Sequence, residues 1–339
     1  MSARAFIAGC AGLELTAEEQ AFFRDAEPWG LILFRRNVSD PEQVRRLTAA
    51  FRDCVGRTDA PVFIDQEGGR VQRLVPPHWP RYPAGRAYGL ASPKDPARRR
   101  ALAWLGARLI AADLRGVGVT VDCLPVLDVP APGSHSIIGD RAYGDEPAIV
   151  AELGRAAAEG LMAGGVLPVV KHVPGHGRAN LDSHEALPRV GASLADLRRR
   201  DFPPFRALAD MPLAMTAHIV FEAIDPERPA TTSPTVIAEI IRGEIGFDGL
   251  LMSDDVSMKA LSGDFRARAE ASFQAGCDIA LHCNGKMDEM RAVAEVAPAL
   301  AGKALRRAEA ALVRIAREPD PFDAVEARAE LDAALALVA

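Results

Sequence analysis

Eight short apolar runs recur along this chain, most of them followed by a longer stretch with helical spacing, and that alternation constrains the fold more than any other feature. The runs are FIAGC (6–10), GLILF (30–34), PVFID (61–65), VTVDCLP (119–125), VLPVVKH (166–172), LAMTAHI (213–219), LLMSD (250–254) and DIALHC (278–283). Residues 41–57, 95–115, 146–164, 234–244 and 264–276 carry apolar side chains at helical intervals. Strands separated by helices pair in parallel, because a crossover returns the chain to the same end of the sheet. Eight such units in 339 residues predict an α/β fold, a single (β/α)8 TIM-type barrel. It is read as one domain over 1–339, with additional outer helices from about 302. A doubly wound open sheet is the alternative, but no GxGxxG follows the first strand. The connection 129–145, VPAPGSHSIIGDRAYGD, is long and rich in Pro and Gly, as functional loops are.

Charge and cysteine content narrow the function classes. The net charge is -6, both signs are interspersed, and no Lys/Arg block provides a footprint for nucleic acid. Five cysteines (Cys10, Cys54, Cys123, Cys277, Cys283) are widely spread with no CxxC, which reads as free thiols in a reducing compartment. No apolar run reaches the roughly 18 residues that span a membrane. FIAGC looks superficially like a lipid-attachment box, but the stretch before it is shorter than the apolar region of about 7–15 residues that a signal peptide needs. The expectation is a cytoplasmic protein with a small-molecule substrate and no obligatory protein partner.

In a barrel of this type, chemistry gathers at the C-terminal ends of the strands. Here Asp65, Lys171-His172, His218 and Asp254-Asp255 all fall at such ends. Any one of them could be a solvated charge; four on different strands are harder to dismiss. DQEGGRVQRL (65–74) adds a second acid, a Gly-Gly turn and two arginines, which suits either an exposed ion-paired turn or a rim that binds a polyol. KHVPGHGRANLDSH (171–184) gathers three of the seven histidines. A metal site would need His172, His176 and His184 to converge, yet Pro174 and Gly175 disfavour a helix between the first two and no HExxH occurs. No metal or other cofactor is expected. An acid/base loop fits better: Asp182 can orient His184, whose ordinary pKa of about 6.5 lets it give and take a proton near neutrality. Gly175 and Gly177 predict a flexible segment. In GFDGLLMSDDVSM (246–258) two acids end a buried strand, and since successive strand residues face opposite ways only one can enter the site.

Together these stretches resemble glycoside hydrolase family 3, in its single-domain bacterial branch. KHVPGHGRANLDSH is similar to the family's KHFPGHG…DSH pattern, with Val173 in place of Phe. GLELTAEE, GLILFRRNV, IDQEGGRVQRL, LPVLDV, IGDRAYGD and GFDGLLMSDDVSM follow the family in the same order, from about residue 8 to 285. The resemblance implies that Asp254 is the nucleophile, that His184 is the general acid/base with Asp182 as its partner, and that Asp65, Arg73, Arg141, Lys171 and His172 hold the sugar. It gives His176 a structural part in the loop. It also implies a retaining β-N-acetylhexosaminidase acting through a covalent glycosyl-enzyme. The implied substrate is N-acetylglucosamine β-linked to anhydro-N-acetylmuramoyl peptide, a muropeptide of peptidoglycan recycling. A metal-dependent hydrolase and a non-catalytic sugar-binding barrel are the rival readings.

Overall fold

The computed structural model describes residues 3–183 and 186–336. Its eight barrel strands are β1 (Arg4–Ala8), β2 (Pro28–Leu33), β3 (Val62–Ile64), β4 (Val121–Asp122), β5 (Leu167–Val173), β6 (Leu213–Thr216), β7 (Leu250–Asp255) and β8 (Ile279–His282). They close in chain order with every neighbour parallel, β8 returning to β1 through Phe6 opposite Ala280. Each of the eight apolar runs holds one of these strands. Their ends differ by a few residues because pairing, not apolarity, sets them. Thus β1 begins at Arg4, which pairs with Pro28 and donates its Nε to the Ala297 carbonyl at 3.0 Å.

Two of the long helices begin where an aspartate meets a proline. Asp40 and Asp95 accept from the backbone N–H of Gln43 and Arg98, three residues on, and Pro41 and Pro96 open the helices Pro41–Val55 and Pro96–Arg115. A carboxylate there satisfies an N–H that the helix cannot, and proline's fixed φ suits the first turn. Residues 234–244 wind differently from expectation: Val236–Glu244 is a π-helix, ending with Ile245 N–H bonded to the Ile240 carbonyl. Beyond the barrel, Gly302–Val313 and Ala324–Leu335 are helical. The latter lies against Pro96–Arg115, and Arg108 stacks over Phe322 between them.

Side-chain alternation divides the core and aims the site. Ile7, Phe63, Val121, Leu167, Val169, Leu213, Met215, Leu250, Met252, Ile279 and Leu281 fill the barrel interior. Phe6, Ala8, Val62 and Ile64 face the helices instead, as do Ala214 and Leu251 on the far side. Phe63 is fully buried, and burial of such a side chain contributes about 1.5–3 kcal/mol. Asp65, Lys171 and Asp254 stand two residues beyond the inward-facing Phe63, Val169 and Met252. These three strands thus leave the apolar core with a charged group at the C-terminal end, and register shifts in β5 and β7 bring His172 and Asp255 to the same cavity.

Candidate active site

Those charged groups meet in one cavity of about 160 Å³ at the C-terminal mouth of the barrel. Asp65, Arg73, Arg141, Lys171, His172 and Asp254 all line it. Asp182 precedes Ser183, which also lines it. His184, the expected acid/base, lies outside the described residues.

A buried ion network forms one wall. Lys171 is 2% exposed, with Nζ 2.9 Å from Asp65 Oδ1 and 2.7 Å from Glu67 Oε1. Arg141 grips Glu67 with two bonds of 2.8 Å, and Arg73 donates to Asp65 Oδ2 at 3.0 Å. Burial by itself would raise both carboxyls, but the adjacent cations overcome it. Lys171 and Arg73 hold Asp65 well below the usual carboxylate range, and Arg141 with Lys171 brings Glu67 down to about 2. Burial works against the Lys171 ammonium as well, and Asp65 and Glu67 more than reverse it, raising its pKa. All five groups are thus charged at neutral pH, three cations against two anions. The buried Arg73 Nε has no acceptor among the described residues. A sugar hydroxyl is a partner of the right chemistry for it, since hydroxyls accept as well as donate.

The histidines occupy the next wall. Asp128 is fully buried and accepts from His172 Nδ1 at 2.7 Å, and from the backbone N–H of His172 and His176 at 3.2 and 2.6 Å. A carboxylate only accepts, so His172 carries a proton on Nδ1. His176 Nε2 lies 3.2 Å from Ser183 Oγ, and burial, followed by the neighbouring His172, lowers its pKa to about 4. His176 is therefore a neutral ring near neutrality. Among the described residues, no three His, Cys, Asp or Glu side chains gather as a metal-binding group.

The two adjacent acids of β7 divide their work. Asp255 Oδ1 accepts from the N–H of Ser257 at 2.9 Å and of Cys283 at 3.1 Å, and its Oδ2 accepts from Ser257 Oγ at 2.6 Å. It ties the end of β7 to the end of β8. Contrary to the expectation from alternation, both acids line the cavity, because the strand register shifts between Met252 and Asp255. Asp254 Oδ1 accepts the Asp255 N–H at 2.8 Å.

The loop after β5 corrects one expectation. Gly177 provides close approach rather than flexibility: a Cβ there would stand 2.0 Å from the Val129 carbonyl oxygen. Two backbone bonds, Ala131 N–H to the Gly177 carbonyl and His135 N–H to the Ala179 carbonyl, fasten this loop to the long connection after β4. Arg178 pairs with the buried Asp201 at 2.7 Å and ties it to the following helical segment. Sequence reasoning also missed Glu67 and Asp128 as parts of the site. Glu67 stood in view as the second acid of DQEGG, and Asp128 as the acid of LPVLDV after β4.

The architecture has known relatives. The model of the glycosyl hydrolase family 3 N-terminal domain matches residues 9–317. A β-hexosaminidase of Alkalilimnicola ehrlichii is 41% identical over 280 residues, covering 81% of this chain and 79% of its own length. The crystal structure of NagZ from Neisseria gonorrhoeae in complex with N-trifluoroacetyl-D-glucosamine is 34% identical with a TM-score of 0.85, covering 100% of this chain and 98% of that one. The same Neisseria protein in complex with a zinc ion is similar at 33% identity and a TM-score of 0.84, with the same coverage.

Proposed function

This chain belongs to glycosyl hydrolase family 3, as a β-N-acetylhexosaminidase, and from that premise we propose that it cleaves with retention through a covalent bond to Asp254. The observation that carries the reading is the division of labour at the end of β7. Both acids line the cavity with Asp65, Arg73, Lys171 and His172, but the Asp255 carboxylate is spent on three donors. In the first step Asp254 attacks the anomeric carbon, the glycosidic C–O bond breaks, and His184 gives its proton to the departing oxygen. In the second step His184 takes a proton from water, the oxygen of that water attacks the same carbon, and Asp254 is released with net retention. Asp182 holds the imidazole of His184 in the proton-bearing orientation. Asp65, Arg73, Arg141, Lys171 and His172 hold the sugar, with Glu67 and Asp128 fixing their geometry.

The substrate we infer is N-acetylglucosamine β-linked to anhydro-N-acetylmuramoyl peptide, in a cytoplasmic peptidoglycan-recycling role. The solved Neisseria relative in complex with an N-acylated glucosamine supports the glycone half of that inference. The test is turnover of p-nitrophenyl β-N-acetylglucosaminide, the β-glucoside and a purified muropeptide, by wild type, Asp254→Asn and Asp255→Asn. Asp254→Asn is expected to lose roughly 10³-fold or more in kcat while Asp255→Asn retains measurable turnover. Near-normal turnover by Asp254→Asn overturns the nucleophile, and preference for the β-glucoside overturns the substrate class.

A further inference from the structure

His218 ends the LAMTAHI run yet does not line the cavity, and nothing in the mechanism above uses it. It is fully buried with both ring nitrogens engaged. Nε2 lies 2.9 Å from the backbone carbonyl oxygen of Asp255, and Nδ1 lies 2.7 Å from Thr231 Oγ1. Thr231, on the short turn Ala230–Thr232, is itself fully buried, with Oγ1 2.8 Å from Thr216 Oγ1. Thr216 Oγ1 in turn accepts the backbone N–H of Asp254 at 3.3 Å.

The donors at the two ends of this chain are fixed. A carbonyl oxygen only accepts, so His218 carries a proton on Nε2. Asp254 N–H donates to Thr216 Oγ1, Thr216 and Thr231 share a hydroxyl–hydroxyl bond, and Thr231 Oγ1 bonds both His218 Nδ1 and, as donor at 3.2 Å, the Ala217 carbonyl. The circuit opens at the N–H of Asp254 and closes at the C=O of Asp255. It therefore grips the Asp254–Asp255 pair at both backbone ends, while the Asp255 carboxylate anchors the same pair to Ser257 and Cys283.

We propose that His218, acting through Thr231 and Thr216, is the positioning residue that fixes the carboxylate of Asp254 for attack on the anomeric carbon. The proposal rests on Asp254 being the nucleophile. None of the three side chains lines the cavity, so their loss leaves the sugar's own contacts in place and moves the attacking group. A displacement of about 1 Å at a reacting group costs on the order of 10²-fold in rate, which is large against any change in binding. The signature is a fall in kcat at nearly constant KM.

Thr231→Val removes the hydroxyl and keeps the shape, and Thr231→Ser restores it. His218→Gln keeps a donor directed at the Asp255 carbonyl and breaks the link to Thr231. Besides kcat and KM, the readout is the rate at which 5-fluoro-N-acetylglucosaminyl fluoride traps the enzyme. In that step a bond forms from Asp254 to the anomeric carbon and fluoride leaves, so no proton donor is needed. Thr231→Val is expected to trap roughly 10-fold or more slowly at saturation with KM within about 2-fold of wild type, and Thr231→Ser to recover most of the rate. Wild-type trapping by Thr231→Val, or a rise in KM with trapping unchanged, overturns the proposal. If Thr231→Val does not fold, His218→Gln decides by the same criteria. Asp254→Asn, assayed beside them, separates the two ideas: activity in that variant sinks the nucleophile, whereas an inactive Asp254→Asn with fully active Thr231→Val and His218→Gln sinks the positioning alone.

Discussion

At the scale of single residues, the site works by giving similar groups different partners. Asp254 and Asp255 are neighbours in sequence and both line the cavity, yet two backbone N–H groups and a hydroxyl engage the Asp255 carboxylate. His172 and His176 share Asp128, but His172 bonds it through the ring and His176 through the backbone. The proposed mechanism gives the proton transfers to His184, and its removal has a kinetic signature. In His184→Ala, a nitrophenyl glycoside needs little help in departing, so the first step survives. Water must attack the glycosyl-enzyme without a base, so the second step slows and the intermediate accumulates. A burst of nitrophenol followed by slow turnover is the expected record. Equal loss on good and poor leaving groups, without a burst, refutes the assignment.

At the scale of elements, the site depends on how the βα loops brace each other. The loop after β5 packs onto the connection after β4 at Gly177, where the backbones are too close for a side chain. Gly177→Ala must therefore push the two loops apart, because its new methyl meets the rigid Val129 backbone rather than a movable side chain. The expected outcome is a fall in kcat of about 10²-fold, since a misplacement of about 1 Å has that cost. Overpacking of this kind also destabilises by typically 1–3 kcal/mol. Kinetics together with a thermal melt check this; a variant with wild-type kcat shows that the loop contact is dispensable. The hairpin formed by Gln66–Gly68 and Val71–Gln72 braces another side, with Arg70 reaching the carbonyls of Ser136 and Ile137.

At the scale of the whole molecule, the buried ion network links the strand ends β3 and β5 to the connection after β4, so its titration is felt as global stability. Glu67 ordinarily titrates near 4.5 and is held at about 2 in the fold. A depressed carboxyl contributes stability that is fully present above its unfolded pKa and is lost as pH falls through the folded one. The window is thus from about pH 4.5 down to about pH 2. Urea melts across that range should show stability falling with pH, with a shallower slope in Glu67→Gln. At neutral pH the same variant should be less stable than wild type by about 3–5 kcal/mol, because Arg141 and Lys171 keep their buried charges and lose a counter-charge. An unchanged slope overturns this account of the network. The proposed mechanism invokes no metal, so on that reading dialysis against a chelator should leave turnover intact and added zinc should not raise it. Activity that vanishes on chelation and returns with zinc would move the histidines to a metal-binding role.

The sequence by itself determined the barrel, because eight apolar runs at regular spacing are a local signal and parallel closure follows from the helices between them. It also determined which groups could do chemistry, since Asp65, Lys171-His172 and the Asp254-Asp255 pair fall at strand ends once the strands are recognised; the family resemblance, not alternation, singled out Asp254. Helix starts were legible for the same local reason, in Asp40-Pro41 and Asp95-Pro96. What only the tertiary structure decided were relations between distant segments. Glu67 becomes the shared counter-ion of Arg141 and Lys171, residues 74 and 104 positions away. Gly177 is a contact point and not a hinge because Val129 lies against it. Thr231 and Thr216 connect His218 to the backbone of Asp254 across two loops. Hydrogen bonds and close packing depend on angstrom-scale distances that no periodicity encodes, so these roles emerge only when the barrel closes.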